Sequence, residues 1–105
     1  MSPTPSPQKV LEKLGQIKAE MKRTGLWQVE PLDPEKYNFE SAFGMDRMAF
    51  SQWLQFVFLS RVQEATAQGQ FPSESNVAAQ AVREFDGMAE AEQLISLLSE
   101  FDALF

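Results

Sequence analysis

Apolar residues recur along this chain at helical spacing, and no stretch shows convincing alternation of apolar and polar positions. Val10, Leu11, Leu14, Ile17 and Met21 follow the i, i+3, i+4, i+7 rule, with Lys18 the one polar interruption. Pro7 suits a first helical turn, where its missing N–H costs nothing, and Ser6 is placed to act as N-cap. Lys22 and Arg23 are cations suited to a helix C-terminus, and Gly25 follows them as a stop. The pattern predicts a first helix from Pro7 to Arg23.

Residues 26–48 break this rhythm. Pro31 and Pro34 exclude a continuous helix, and Asn38, Ser41 and Gly44 supply turn chemistry. Nine apolar residues, from Leu26 and Trp27 to Met45 and Met48, argue for a connection packed on the helices, with a helical turn near Glu40–Phe43. A second helix is predicted over Ala49 to Gln68. With Phe50 at 0° and about 100° per residue, Phe50, Trp53, Leu54, Val57, Phe58 and Ala65 share one arc, while Phe56, Leu59 and Val62 fall outside it. Such a helix is buried on several sides. Gly69 and Pro72 end it. Ser75 or Asn76 can cap a third helix, Val77 to Phe85, which Asp86-Gly87 breaks. Leu94, Ile95, Leu98, Phe101 and Phe105 mark a fourth, Ala89 to Phe105. The expected fold is all-α, a small four-helix bundle with a long, packed connection between helices 1 and 2.

A length of 105 residues bounds this to one domain, residues 7–105, behind a Pro-rich leader (1–6) expected to be extended or disordered. The chain has no His and no Cys. Ser-His-Asp catalysis, Cys nucleophiles and His- or Cys-ligated metals are therefore excluded, and no cofactor is expected. No Gly-rich phosphate loop or calcium-loop spacing is present either. Up to Arg61, eight basic residues face seven acidic ones; from Val62 onward Arg83 alone faces eight. An acidic balance repels phosphate, so direct nucleic-acid binding is not expected, and the cations between Lys9 and Arg23 read as a solvated helix face. No run reaches the ~18–20 apolar residues of a membrane span and no signal peptide is visible, so a cytoplasmic location is expected.

Arg61 breaks the second helix's pattern. At about 20° it falls between Phe50 and Leu54, inside the most apolar arc. The leading expectation is a salt bridge closing the core, with Asp46, Glu64 or Asp102 as partner; the others are an anion-binding arginine in a cleft, or exposure at the rim. Asp46 lies among hydrophobic neighbours before the second helix, suited to capping that helix or pairing with Arg61. Trp53 reads as core, and as a partner contact if exposed. Asp46, Trp53 and Arg61 are the candidate binding residues.

The stretch from Phe43-Gly44-Met45-Asp46 through Trp53-Leu54-Gln55-Phe56-Val57-Phe58-Leu59-Ser60-Arg61 resembles the signature of the YqcC-like family, P-F-x-x-D-T-M-x-F-x-x-W-L-Q-W-V-F-I-P-R-M. Asp46, Met48, Phe50, Trp53, Leu54, Gln55, Val57 and Arg61 match it. Ser60 stands where that pattern has Pro, which implies a straighter second helix here. The resemblance implies a small, all-helical bacterial protein without an assigned biochemical function, often encoded near a tRNA pseudouridine synthase. It supplies no catalytic residue. The expected function is therefore that of a non-enzymatic cytosolic interaction or accessory protein, monomeric or homodimeric, with a tRNA-modifying enzyme as partner. The alternative is a binder of a small or anionic ligand in a pocket near Trp53 and Arg61.

Overall fold

The computed structural model describes residues 6–71 and 74–105, which form four helices and no strand. Residues 1–5 of the expected leader, and Pro72, lie outside them. Helix α1 is Pro7–Arg23, with Pro7 in its first turn. Ser6 takes the extended N-cap backbone, but its hydroxyl makes no capping bond. Val10, Leu14, Ile17 and Met21 are buried, as the spacing predicts, while Leu11 sits at the edge of the stripe, 47% exposed. Lys18, the polar interruption, lies over the Trp27 ring with Lys22, each ammonium 5.3 Å from its centre.

The connection packs against the helices. Leu32 and Met48 are buried, and Leu26, Trp27, Phe39 and Phe43 lie half-buried on the core. Its one helical turn is a 3₁₀ turn at Pro34–Tyr37, where Asp33 Oδ1 accepts the Glu35 N–H. The helical turn expected near Glu40–Phe43 is replaced by tight turns around Gly44, whose carbonyl accepts the N–H groups of Arg47 and Met48. Gly44 has φ +67°, and a β-carbon there would stand 3.0 Å from Trp53 Cδ1. A side chain is excluded twice over, by conformation and by space.

Helix α2 (residues 50–68) runs unbroken but not uniformly. It is α-helical over Phe50–Trp53, takes a π turn over Leu54–Phe58, and returns to α over Leu59–Gln68. In the π turn the Leu59 N–H donates to the Leu54 carbonyl five residues back. The turn uses one residue more than an α turn, so everything after it lags by about 100°. Leu59 thereby moves into the core, Val62 and Ala65 pack at its edge, and Arg61 turns outward. Where a proline bend was absent from the sequence, a π turn reorients the helix instead.

Gln55, in the middle of that turn, is buried. Its Oε1 accepts the Gln28 N–H at 2.8 Å and its Nε2 donates to the Gln28 carbonyl at 2.7 Å. Gln52 Nε2 adds a bond to Gln28 Oε1, while Gln52 Oε1 accepts the Ala49 N–H at the start of α2. The buried amide thus satisfies main-chain groups of the connection and fixes that connection to α2.

Helix α3 (Val77–Glu84) packs on α4 (Glu92–Asp102), which a 3₁₀ turn at Ala89–Ala91 leads into; α4 also packs on α1. Neither Ser75 nor Asn76 caps α3. Asp102, at the far end of α4, accepts the N–H groups of Val77 (3.1 Å) and Ala78 (2.8 Å) and the Ser75 hydroxyl. A carboxylate supplied across the fold thus satisfies the first turn of α3. Lys13 and Glu100 add an ion pair between α1 and α4 at 3.4 Å.

A continuous line of aromatic rings runs through the core. Phe85 meets Phe50, Phe50 stacks on Trp53 at 5.8 Å, and Trp53 meets Phe58 at 5.6 Å. Phe58 packs edge-on to Phe101, which leads to Phe105 and Phe71. Trp53 and Phe58 are five residues apart, a spacing that a uniform α-helix sets about 140° apart at the two ends of its apolar arc and a π turn brings closer.

Candidate binding site

The three candidate residues do not converge. Trp53 is 5% exposed and belongs to the core. Arg61 is exposed, its guanidinium 5.7 Å from the centre of the Phe39 ring, and it makes no ion pair among the described residues. The expected bridge to Asp46, Glu64 or Asp102 is therefore absent there, because the π turn removes Arg61 from the apolar arc that would have demanded one. Asp46 neither caps α2 nor pairs with Arg61. Its carboxylate accepts the Glu40 N–H at 2.9 Å and the Ser41 N–H at 3.2 Å. The Glu40 N–H, above all, holds the Asp46 carboxyl below the usual carboxylate range, with Ser41 adding to it against the cost of desolvation. Asp46 is a clasp for its own loop.

Trp53 and Arg61 do share one cavity, of about 310 Å³. From α2 come Trp53, Phe58, Arg61, Val62 and Ala65; from α4 and the residue that ends the chain, Phe101 and Phe105; from the segment after α2, Phe71 and Ser75. Apart from Arg61 and Ser75 these walls are hydrocarbon and indole. The Trp53 indole N–H is a buried donor with no hydrogen-bond partner among the described residues. Arg61 also lines a second hollow beside Tyr37, Phe39 and Glu64, so it stands between the two.

The sequence reading missed a groove on another face. It has a volume of about 430 Å³, and Leu26, Met45, Met48, Phe85 and Met88 line it with Glu84 at its border. A neighbouring hollow shares Phe85 and Met88 and adds Val82, Asp86 and Glu92. Met45 and Val82 are 43% and 54% exposed, large values for apolar side chains. The signal was present in the sequence as the methionines around Asp46 and the acidic excess after Val62, but only the fold joins them.

Among the described residues no group of three or more acidic side chains is placed to hold a metal ion, and no helix is long and apolar enough to cross a membrane. The two carboxylates that stand out, Asp46 and Asp102, are both engaged by main-chain N–H groups. Fold and site together define a small all-helical protein with an aromatic cavity and a methionine-lined groove among its described residues.

The chain belongs to the DUF446 family, described as tRNA pseudouridine synthase C, which it matches over residues 9–104. It is 30% identical over 95 residues to an uncharacterized protein of Haemophilus influenzae, a match that covers 87% of each chain. It is also 36% identical over 53 residues to a protein of Pectobacterium carotovorum named tRNA pseudouridine synthase C; that segment is 50% of this chain and 14% of the longer protein. No solved structure matches the chain.

Proposed function

We propose that this is a non-enzymatic accessory protein that binds a tRNA pseudouridine synthase in the bacterial cytoplasm. The observation that carries this is the partial match: half of this chain is similar to a small part of a much longer protein bearing the synthase's name. A segment found inside one long protein, and matched over most of the length of the Haemophilus influenzae relative, is suited to associate with the rest of the longer one. On this reading the YqcC-like signature and the DUF446 match describe one family. The methionine-lined groove is the docking face. Its unbranched, polarizable side chains adapt to a partner's shape, and Glu84 at its border, with Asp86 and Glu92 in the neighbouring hollow, favours an apolar segment flanked by basic residues.

The test is sedimentation and calorimetry of the purified protein with the synthase of the same organism, with and without tRNA. The expected result is a one-to-one complex that weakens as salt rises. Met45→Glu, at an exposed position, should weaken it by roughly tenfold or more, since it places a like charge in the groove. No complex under either condition would overturn the proposal. A complex indifferent to Met45→Glu would remove the groove from it.

A further inference from the structure

The aromatic cavity beneath Arg61 is not used by the docking reading, and three of its features bear on what it holds. Its volume of about 310 Å³ lies at the small end of ligand sites, enough for one or two fused rings. Its walls are Trp53, Phe58, Phe71, Phe101 and Phe105, with Val62 and Ala65 between them. The ring pairs meet edge-on or tilted at 5.0–5.8 Å, the geometry in which a further flat ring gains edge and face contacts.

The polar groups narrow the choice. Among the described residues Arg61 is the only cation lining the cavity, it is exposed, and no carboxylate neutralises it. A guanidinium resting over one aromatic ring keeps its planar fork available for a carboxylate, which it binds through two parallel bonds. Glu64 shares the second hollow with Arg61 but makes no ion pair with it, and Asp102 does not compete for it either. Asp102 is occupied by the N–H groups of Val77 and Ala78 and by the Ser75 hydroxyl, which accounts for the other polar side chain of the lining.

We infer that this cavity binds a small planar aromatic carboxylate, its ring among the phenylalanines and its carboxylate on Arg61. The site is independent of the groove and of any synthase.

Two probes of one shape test it on the full chain: a naphthoate ion and the neutral methyl naphthyl ketone. Calorimetry gives affinity, and backbone amide NMR shifts give location. Naphthoate is expected to bind with a Kd below about a millimolar, with shifts concentrated on residues 53–65 and 101–105. Arg61→Met should weaken naphthoate roughly tenfold and leave the ketone nearly unchanged, because only the ion uses the guanidinium. Ala65→Phe should abolish both by filling the cavity, with Val62→Phe as the second filling variant and the unfolding midpoint reporting that each still folds. The proposal is overturned if naphthoate gives no saturable shift, or if its shifts map elsewhere. It is overturned equally if Arg61→Met leaves naphthoate binding intact or weakens both probes alike.

Discussion

Helices α1 and α2 draw on the same kind of apolar sequence, yet they present it to the core in different ways. In α1 one register holds from end to end, and Val10, Leu14, Ile17 and Met21 line a single buried stripe. In α2 the register changes between Trp53 and Leu59, and the two ends bury faces that a uniform helix would place about 100° apart. The difference shows what a π turn accomplishes. It allows Trp53 and Phe58 to join one aromatic line while Arg61, three residues past the turn, reaches solvent beside Phe39.

The sharpest way to break this comparison is to delete one residue from each helix. Removing exposed Gln16 should rotate Ile17 and Met21 away from Val10 and Leu14 and abolish most of the ~5–15 kcal/mol available to a domain this size. Removing half-buried Phe56 should instead convert the π turn into an α turn and leave residues 59–68 on their present face. Its cost should be only that of a half-buried ring, about 1–3 kcal/mol. Denaturant unfolding followed by helical circular dichroism measures both, and equal losses would end the register argument.

Trp53→Ala follows in size. It cuts the aromatic line at its centre and enlarges an existing cavity, and should cost about 3–5 kcal/mol in the same assay. A smaller effect is expected where one helix depends on another for its cap. Asp102→Ala removes the acceptor for the first turn of α3 and should cost about 1–2 kcal/mol, with faster hydrogen exchange at Val77 and Ala78. Retained protection at both amides would show that the cap is dispensable. Arg61→Met should be the smallest, within about 0.5 kcal/mol of the parent, because nothing in the core relies on its charge. A loss of several kcal/mol would restore the buried-bridge reading that the π turn displaces.

Much of the fold is legible in the residue order. Pro7 and Gly25 bracket α1, Gly69 closes α2 in the left-handed conformation, apolar spacing locates α1, α2 and α4, and the Asp86-Gly87 break bounds α3. The candidate site is less legible, for reasons that attach to particular residues. Leu54-Gln55-Phe56-Val57-Phe58 carries apolar side chains almost all round, so nothing in it marks where the register slips; its one polar residue, Gln55, is buried against Gln28. A steady 100° step therefore places Arg61 in the core, an error of one residue accumulated across one turn. Asp102 lies 25 residues from the Val77 amide it caps, beyond any local capping pattern, while Ser75 and Asn76 look like the local answer.

Short-range steric and capping chemistry is written residue by residue, because a proline ring, a glycine backbone or an apolar repeat acts on its immediate neighbours. It determined the helical class, the helix ends and most of the buried stripe. The tertiary structure alone decided the π turn, the outward Arg61, the distant cap on α3 and the cavity beneath Arg61. Each of these depends on how much room a facing element leaves for a side chain, and that is settled only when the helices meet and pack.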